Sequence, residues 1–595
     1  MPTPTELMDP VAGAPHERVW PAGVPHTLQV PDEALGVGLQ ARFAQTPDAV
    51  ALRFLTRQFT WAELHGQVQH LAGALQQQGL QKGDRVLLFM QNCPHFIVAF
   101  HAVLQCGGVV VPINPMSKAD ELEHYLRDTQ ARIAVASLDI ASELVQAHQA
   151  VASGSALCHL IGFALADGLP AADAPEVRHW PSTWRDWLLR TPPELPASGT
   201  LHIHRWGDLL AAANLPTAVP VQGSDLALLP YTSGTTGQPK GCMHTHASLL
   251  HNVLASGPWL DMRTGDTTLI VVPMFHITGL VVGMLSSIRL GCSIVLLPRW
   301  DRVMAARAIH QHQVTHWPNI PTMVMDLLGG TDLDQFQLGS LRYIGGGGAA
   351  MPDAVATQLR QTYGLEYLEG YGLTETAAPT HTNPRGAARQ ACLGIPYIGT
   401  EAWVIDPETL RRLPAGEVGE IVVRGPQLFS GYWQQPEATA HAFITLEGRR
   451  FFRTGDLGRV DADGYFTMAD RLKRMINASG FKVWPAEVEG LLHRHPAVQE
   501  ACVIARRDAY RGETVKALVV LKQGFKGQVS EDALIAWARE HMSAYKYPRS
   551  IELVDALPRS ASGKLMWRVA QARQDQRDQT EAAAPAGASP GAAPG

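Results

Sequence analysis

Short apolar runs alternate with helical patterns from about Gly36 to Trp300, and this alternation constrains the fold more than any other feature of the chain. RVLLFM (85–90) is followed by the helical pattern PHFIVAFHAVLQCG and then by GVVVPIN (108–114). Two further runs suit buried strands: IAVAS (133–137) and CSIVLLP (292–298). Strands that alternate with helices predict an α/β fold built from doubly wound sheets.

The pattern changes twice in the second half of the chain. EAWVID, GEIVVRG and GYFTMAD favour a subdomain of short strands, and a compact α+β pattern follows it. Because 595 residues are too many for one core, we predict several units. They are an irregular lead-in at 1–35, a large N-terminal domain at 36–472, a small α+β C-terminal domain at 473–570 and a disordered tail at 571–595, with residues 150–221 as an insertion of loops and short helices.

Composition argues against several classes of function. A formal charge of −6 is unsuited to a general nucleic-acid-binding surface. Seven cysteines without a CxxC pair predict neither a disulfide framework nor a zinc site, and they favour a reducing cytosol.

One segment approaches the length of a membrane span. Residues 267–288 contain no Asp, Glu, Lys or Arg, but Pro273, His276 and Gly279 interrupt the run. We therefore predict a strand, a loop and a buried helix there, and no transmembrane span. The N-terminus also lacks the basic start and apolar stretch of a signal peptide. Peripheral membrane contact and a homodimer are compatible with the sequence.

The segment YTSGTTGQPKG (231–241) combines five hydroxyl side chains, three glycines and one lysine. Glycine lets successive backbone N–H groups turn toward one anion, while hydroxyls and Lys240 add donors and positive charge. This composition predicts a phosphate-binding segment. It is not the ordinary P-loop, because Pro239 precedes the lysine and Gly241 follows it. An ordinary Ser/Thr/Gly surface loop is the alternative.

Two weaker signals follow. GGGGAAMP (345–352) offers bare backbone on which a flat ligand can lie, although a glycine-rich turn has the same composition. EGYGLTET (369–376) offers an aromatic ring, two hydroxyls and a carboxylate suited to Mg²⁺, although Thr and Glu at this spacing also form helix capping boxes.

Two more signals lie near the C-terminus. RTGD (453–456) predicts an aspartate on a tight turn that accepts hydrogen bonds from a ribose diol, and an ordinary turn is the alternative. PRSASGKLMW (558–567) places Lys564 after a Ser/Gly loop that can deliver a cation to a developing negative charge. A solvated surface lysine is the alternative.

In this order, and together with FHITG (275–279) and DRLKRMINASG (470–480), these segments resemble the adenylate-forming (AMP-binding) superfamily. That superfamily includes acyl-CoA synthetases, firefly luciferase and the adenylation domains of peptide synthetases. The resemblance covers about residues 35–570. It implies ATP, Mg²⁺ and coenzyme A as reaction partners, and a small-molecule carboxylic acid as substrate.

The resemblance implies roles by motif position. It assigns the β- and γ-phosphates to Thr232, Ser233, Gly234, Thr235, Thr236 and Lys240. It places the border of adenine and the acyl pocket at Gly346, Gly347, Gly348, Ala349 and Ala350. It assigns the remaining nucleotide contacts to Tyr371 and Gly372 at adenine, Thr374 at the α-phosphate, Glu375 at Mg²⁺, and Asp456 with Arg471 at the ribose.

The resemblance also implies that the small C-terminal domain is mobile and that the enzyme has two active conformations. Lys564 bridges the carboxylate and the α-phosphate in the first step. Rotation at the Lys473 hinge then withdraws it and brings in Gly480, where the pantetheine arm passes close to the backbone. His276 lies near the substrate carboxylate, or else is a satisfied core histidine.

The acid is predicted from the segments that the resemblance places around the acyl pocket. Neither 275–284 nor 317–321 contains a charged residue, so an apolar tail is expected. We predict a medium- or long-chain fatty acid-CoA ligase. The alternatives are an aryl-CoA ligase, an enzyme that loads a carrier protein, and a non-catalytic nucleotide- or acyl-binding protein.

Overall fold

The computed structural model describes residues 14–151, 154–195, 201–232, 239–330, 335–471, 474, 476–478, 481–483, 485–508, 512–542, 546–559 and 565–583. The chain divides into two compact units. The first contains Met1–Trp403, Val422–Thr454 and Val460–Thr467, and the second contains Val404–Ile421, Gly455–Arg459 and Met468–Gly595.

Helices and strands alternate along most of the described chain. The α-helices are α1 (Val37–Gln45), α2 (Trp61–Gln77), α3 (Pro94–Gln105), α4 (Ala119–Thr129), α5 (Ala141–Val151), α6 (Ser182–Leu188), α7 (Trp206–Ala211), α8 (His246–Leu260), α9 (Ser286–Leu290), α10 (Arg302–His312), α11 (Pro321–Leu328), α12 (Asp353–Tyr363), α13 (Pro436–Ala442), α14 (Pro485–Leu492), α15 (Glu531–His541) and α16 (Trp567–Ala583). The strands are β1 (Val50–Phe54), β2 (Arg57–Thr60), β3 (Arg85–Phe89), β4 (Val109–Ile113), β5 (Ile133–Ser137), β6 (His159–Phe163), β7 (His202–Arg205), β8 (Leu226–Leu228), β9 (Tyr231–Thr232), β10 (Lys240–Gly241), β11 (His244–Thr245), β12 (Thr267–Ile270), β13 (Ser293–Leu296), β14 (His316–Asn319), β15 (Tyr343–Gly346), β16 (Tyr367–Leu373), β17 (Ala378–Thr382), β18 (Ile395–Pro396), β19 (Glu401–Ile405), β20 (Gly419–Arg424), β21 (Phe443–Leu446), β22 (Arg449–Val460), β23 (Phe466–Arg471), β24 (Ile476–Ala478), β25 (Phe481–Val483), β26 (Val498–Asp508), β27 (Gly512–Leu521) and β28 (Ser550–Leu553).

Two large sheets form the first unit. One has nine strands in the order β18-β17-β16-β15-β14-β12-β13-β1-β2, parallel from β16 through β1. The other has seven strands in the order β11-β8-β4-β3-β5-β6-β7 and is parallel from β8 through β7. The predicted α/β fold with doubly wound sheets is confirmed, and so are the runs that correspond to β3, β4, β5 and β13.

The connection between β3 and β4 shows why this pattern was readable. Helix α3 begins at Pro94, whose fixed φ suits the first turn of a helix. Ten of its twelve residues are buried, and every residue of β4 and β5 is buried as well. Parallel strands covered on both faces read as continuous apolar runs.

The prediction that residues 150–221 are loops and short helices is wrong in part. Strands β6 and β7 in this region extend the seven-stranded sheet in parallel. Trp180, Trp184 and Leu188 of the same region are buried in the main core. The region 150–221 therefore contributes both strands and core side chains to the first unit.

Residues 267–288 fold as predicted into a strand, a loop and a buried helical segment. Strand β12 is followed by a π-helix at Gly279–Leu285, all of whose residues are buried, and then by α9. No helix in the described part of the chain is long and apolar enough to cross a membrane.

Shorter strands form three further sheets. Strands β9 and β10 form a two-stranded ribbon. A five-stranded sheet has the order β19-β20-β22-β21, with β23 beside β22, in agreement with the predicted short-strand subdomain. The last sheet has the order β25-β24-β27-β26, with β28 beside β27, and α14 and α15 contribute Val488, Leu492, Leu534 and Ala538 to its core.

The predicted disordered tail at 571–595 is wrong for residues 571–583, which belong to α16. Polar side chains attach this helix to β26 and β27. The Gln571 amide accepts from the Ala505 N–H at 2.9 Å and donates to the Ala505 carbonyl at 2.9 Å. The Gln574 amide oxygen accepts from Lys516 at 2.7 Å, and Asp578 accepts from the Arg507 N–H at 2.8 Å. The segment was predicted to be disordered because it has few apolar residues. Side-chain hydrogen bonds hold it as a helix instead.

Candidate active site

A short ribbon brings the two ends of the hydroxyl-rich segment (231–241) together. Thr232 pairs with Lys240, and Tyr231 pairs with Gly241, across antiparallel β9 and β10. The remaining predicted phosphate contacts in this segment lie outside the described residues: Ser233, Gly234, Thr235 and Thr236.

Helix α4 anchors both ends of this ribbon. The Tyr231 hydroxyl donates to the Asp128 carboxylate at 2.5 Å. A ring nitrogen of His124 lies 2.8 Å from the Pro239 carbonyl oxygen, to which it donates in its N–H form. Burial raises the pKa of Tyr231, so this phenol remains a proton donor. The position of the hydroxyl-rich segment therefore depends on two side-chain contacts to one helix.

Lys240 and Glu375 both contact the half-buried side chain of Tyr432. The Lys240 Nζ is 5.1 Å from the centroid of the Tyr432 ring, and the Tyr432 hydroxyl donates to Glu375 Oε1 at 2.8 Å. Burial raises the pKa of Tyr432, which keeps it protonated for this bond. Backbone bonds from Met243 N to Gly431 O (2.9 Å) and from Trp433 N to Gly241 O (2.8 Å) fix the ring beside β10.

Thr374 and Glu375 follow β16 in a single 3₁₀ turn. The Thr376 hydroxyl, rather than the Glu375 carboxylate, accepts from the Leu373 N–H at 2.9 Å and caps this turn. The capping-box interpretation therefore does not apply to Glu375, whose carboxylate contacts Tyr432 instead.

Two buried side chains of α8 and β11 hold the backbone of this turn. His244 Nε2 lies 2.7 Å from the Thr374 carbonyl, and Asn252 Nδ2 donates to the Ala377 carbonyl at 2.8 Å. Burial lowers the pKa of His244 to about 4, so the ring is neutral near pH 7 and its N–H donates. Ala377 and Ala378 have φ values of 50° and 79°, a left-handed region that costs free energy for alanine.

The glycine segment (Gly345–Gly348) is shaped by close backbone packing. A Cβ on Gly346 would lie 1.8 Å from the Asn319 carbonyl oxygen, and one on Gly347 would lie 2.2 Å from that of Gly370. Gly348 has φ +91° and no neighbour within 4 Å of a Cβ. The predicted ligand border is thus exposed only from Gly348 onward, where Ala349 and Ala350 are exposed as well.

Tyr371 and Gly372 also occupy tight positions. The Tyr371 ring is 8% exposed and lies 5.7 Å from the His381 ring, centroid to centroid. A Cβ on Gly372 would lie 1.8 Å from the Ala378 carbonyl oxygen. One face of the predicted adenine-stacking ring is therefore already packed.

Glu369 is a buried carboxylate that our sequence analysis did not select. Its Oε1 accepts from the N–H groups of Met351 (3.1 Å) and Ala391 (3.3 Å), so it fastens the far end of GGGGAAMP. Burial raises the pKa of Glu369 to about 6. Its position directly before GYGLTET was the available signal. Tyr432 was also missed, because 57 residues separate it from Glu375.

His276 is exposed, so the alternative of a satisfied core histidine is wrong. The apolar residues after it are in the main core, and Leu280, Val281 and Met284 are at most 1% exposed. Trp317 is fully buried and stacks on Trp300 with centroids 5.7 Å apart.

Asp456 belongs to the second unit. RTGD lies inside the twelve-residue strand β22 rather than on the predicted tight turn. Gly455, with φ +69°, bends the strand locally without ending it. Asp456 is fully buried, and the Gly455 N–H donates to Glu420 at 3.2 Å. Arg471 ends β23, while Lys473, Gly480 and Lys564 lie outside the described residues.

The donor set of the first unit suits Mg²⁺ held jointly with phosphates. Among the described residues, no cluster of three or more His, Cys, Asp or Glu side chains forms a metal cage. Glu375 supplies one carboxylate, and Mg²⁺ commonly binds through one or two carboxylates plus substrate phosphates. The residues present therefore fit a nucleotide-associated Mg²⁺.

Comparisons with known proteins agree with this geometry. The family model described as AMP-binding enzyme matches residues 39–433, and that of the AMP-binding enzyme C-terminal domain matches residues 487–564.

Three relatives illustrate the similarity. The chain is 36% identical over 557 residues to a long-chain-fatty-acid–CoA ligase of Bacillus subtilis, covering 92% of this chain and 96% of that protein. It is 33% identical over 537 residues to a feruloyl-CoA synthase of an Amycolatopsis species, covering 90% and 98%. Its fold matches the crystal structure of ATP-bound MatB from Rhodopseudomonas palustris with a TM-score of 0.77 at 26% identity, covering 92% and 100%. The chain therefore belongs to the AMP-binding enzyme family, in its AMP-forming acyl-CoA ligase branch.

Proposed function

We propose that this chain is an ATP-dependent acyl-CoA ligase that activates a medium- or long-chain fatty acid. The observation that carries the proposal is the constellation of Lys240, Tyr432 and Glu375, which places a cation and a carboxylate beside the hydroxyl-rich segment. The ammonium suits the β- and γ-phosphates of ATP, and the carboxylate suits the Mg²⁺ that accompanies them.

The reaction proceeds in two steps. A carboxylate oxygen of the acid attacks the α-phosphorus of ATP, the bond to the β-phosphate oxygen breaks, and pyrophosphate leaves with its electron pair. The thiolate sulfur of CoA then attacks the acyl carbon, and AMP leaves from the mixed anhydride as the thioester forms. The free carboxylate is a poor electrophile, and the anhydride supplies the leaving group that it lacks.

Each candidate side chain has one role in this proposal. The hydroxyls of 232–236 and the Lys240 ammonium hold the phosphates, and Thr374 hydrogen-bonds the α-phosphate. Bound Mg²⁺ would neutralise part of the phosphate charge. Tyr432 holds the Glu375 carboxylate in place through its hydroxyl. Asp456 accepts from the ribose, Arg471 lies beside it, and Tyr371 and Gly372 border adenine.

The choice of a fatty acid is supported by the apolar character of 275–284 and by the Bacillus subtilis relative. Burial of each CH₂ of the acyl chain is worth about 0.8 kcal/mol. An aromatic acid is the second candidate, and the feruloyl-CoA synthase favours it. Trp317 offers no ring face to such an acid, because it is buried against Trp300.

The deciding experiment measures AMP formation with ATP and Mg²⁺ across acids from acetate to oleate, with benzoate and ferulate, with and without CoA. Activity that peaks with fatty acids and requires CoA supports the proposal. A peak with ferulate selects the aryl-CoA ligase. Pyrophosphate release without CoA dependence selects a carrier-protein acceptor, and no turnover with any acid contradicts the function. Light scattering and vesicle co-sedimentation test the homodimer and the peripheral membrane contact.

Lys564→Ala is expected to reduce adenylation by about a hundredfold to a thousandfold, because one ammonium offsets the repulsion between the carboxylate and the α-phosphate. Thioester formation from supplied acyl-adenylate should stay near the wild-type rate. Lys526→Ala is the matched control, since Lys526 is an exposed lysine paired with Asp555. Equal loss of both steps in Lys564→Ala would contradict the role.

Lys473→Pro is expected to spare adenylation and to impair thioester formation, because proline fixes φ at the proposed hinge. Lys473→Ala removes the same charge while leaving φ free, and it should retain both steps. The two steps are measured separately, as pyrophosphate release and as thioester yield from supplied acyl-adenylate. If Lys473→Pro retains both, the hinge lies elsewhere.

A further inference from the structure

A shallow, solvent-open pocket lies between the nine-stranded sheet and α10, and none of the residues assigned above lines it. Its sheet side is at the carboxyl ends of the parallel strands β1 and β13, where Arg53 pairs with Val295. In open α/β sheets, ligands characteristically bind at the carboxyl ends of the strands. The apolar part of the lining comprises Leu55, Trp180, Val295, Leu297, Met304 and Ala308.

Four basic side chains line the same pocket, and they come from three separate parts of the chain. Arg53 lies on β1, His179 lies in the segment before α6, and Arg307 and His312 lie on α10. Gln311 is the remaining polar lining residue, and no aspartate or glutamate is among the residues that line the pocket. The fold thus gathers positive charge around an apolar floor.

The described residues that line the pocket supply no carboxylate to compensate these basic groups. Burial and then the charge of Arg53 lower the pKa of His312. Burial and then the charge of Arg307 lower the pKa of His179. Burial lowers the pKa of Arg53 as well. The two arginine charges therefore make the neighbouring histidines harder to protonate, and an anion bound in the pocket would offset this repulsion.

Arg307 has unused hydrogen-bonding capacity. Its guanidinium lies 5.7 Å from the centroid of the Phe336 ring, which orients the group without supplying a negative charge. Its Nε is buried and has no hydrogen-bond partner within the described chain. An unsatisfied buried donor is costly, so a ligand that accepts a hydrogen bond from this group is favoured. Guanidinium forks match the oxygens of phosphate groups.

We propose that the Arg53–Arg307 pocket binds a small phosphate-bearing anion. The cationic groups hold the phosphate oxygens, and the apolar floor beside Trp180 accommodates any organic part that carries the phosphate. The source is either free phosphate or a phosphorylated molecule with a flat apolar body. This site is independent of the proposed ligase reaction, because it shares no residue with the candidate active site.

The test titrates the full-length chain with inorganic phosphate and, separately, with phenyl phosphate, by calorimetry. Both titrations use a Lys240→Ala background, which weakens the phosphate site proposed for ATP. Arg307→Gln and Arg53→Gln are each expected to weaken phosphate binding about tenfold or more. Arg360→Gln, an exposed arginine on α12 paired with Glu366, is the matched control and should leave binding unchanged.

The outcomes separate cleanly. Tighter binding of phenyl phosphate than of inorganic phosphate, lost in both pocket variants, supports an organic ligand. Equal binding of the two, lost in both pocket variants, supports free phosphate. Absence of saturable binding, or the same affinity in the pocket variants and in Arg360→Gln, overturns the proposal. Thermal melts of each variant verify that lost binding does not reflect lost structure.

Discussion

The hydroxyl-rich segment and the glycine segment are positioned by opposite means. Side chains reaching from α4 hold the first, through the bonds of Asp128 and His124 to its two ends. The second packs directly against neighbouring backbone, because its glycines have no side chains. Carbonyl oxygens of neighbouring strands occupy the space where the Cβ atoms of Gly346 and Gly347 would lie. A substitution therefore removes one bond in the first segment and creates a collision in the second.

This difference predicts unequal tolerance. A hydrogen bond contributes about 0.5–1.5 kcal/mol, so its loss leaves a folded protein. Overpacking against a buried strand costs about 1–3 kcal/mol or more, because neither backbone can give way. Changes in the glycine segment should therefore act mainly on stability, and changes around the hydroxyl-rich segment mainly on substrate binding.

The largest effect is expected for Gly346→Ala. The new Cβ would lie 1.8 Å from the carbonyl oxygen of Asn319, a fully buried residue whose side chain is bonded to Trp317 and Tyr367. We expect a loss of about 3 kcal/mol of unfolding free energy, measured by denaturant titration.

Gly348→Ala is the matched control in the same segment. Space is open there, so only the φ of +91° opposes the change, at a cost of about 1–2 kcal/mol. If Gly346→Ala is no more destabilising than Gly348→Ala, packing does not shape this segment.

Glu369→Gln tests the titratable anchor of the glycine segment. Because burial raises the pKa of Glu369 from 4.5 to about 6, folding favours the protonated carboxyl. This contribution to stability is complete below the unfolded pKa and is lost as the pH rises through about 6. Between pH 4.5 and 7, the wild type should lose about 2 kcal/mol relative to Glu369→Gln.

Thermal melts across this pH range measure that difference. Glu366→Gln serves as the control and should parallel the wild type, because Glu366 is a partly exposed carboxylate directly before β16 and is paired with Arg360. Parallel pH profiles of the wild type and Glu369→Gln would show that Glu369 does not titrate with folding.

The smallest effect is expected for Tyr432→Phe, which retains the ring beside Lys240 and removes the hydroxyl bond to Glu375. A loss of about 1 kcal/mol corresponds to roughly a fivefold rise in the KM for Mg·ATP. Tyr432→Leu removes the ring as well and should raise the KM further. An unchanged KM in both variants would separate Tyr432 from nucleotide binding.

Local patterns predicted most of the fold. Strands such as β4 and β5 are buried on both faces, so their apolar runs were readable without their neighbours. Strand β7 was missed because HIHR is polar and ends the order of described strands in its sheet, at the edge. Helix α16 was missed because Gln571 and Gln574 replace the apolar stripe that identifies helices.

The candidate site was readable only as separate motifs. Thr374 and Glu375 stood out in the sequence, but their supports did not, because His244 and Asn252 are buried polar residues more than a hundred positions away. RTGD was expected on a turn, and only the structure places Gly455 as a bend inside β22. Such long-range contacts leave no local signal.

The attachment of α16 has a consequence for chain entropy. Arg559 and Leu565 pair as an isolated bridge, and the Met566 N–H donates to the Pro558 carbonyl at 2.8 Å. The bridge lies next to α16, which begins at Trp567, two residues after Leu565. Loop closure reduces the number of conformations that the chain can sample. By fastening α16 to β26 and β27, Gln571, Gln574 and Asp578 therefore also restrict the chain at the adjoining bridge of Arg559 and Leu565.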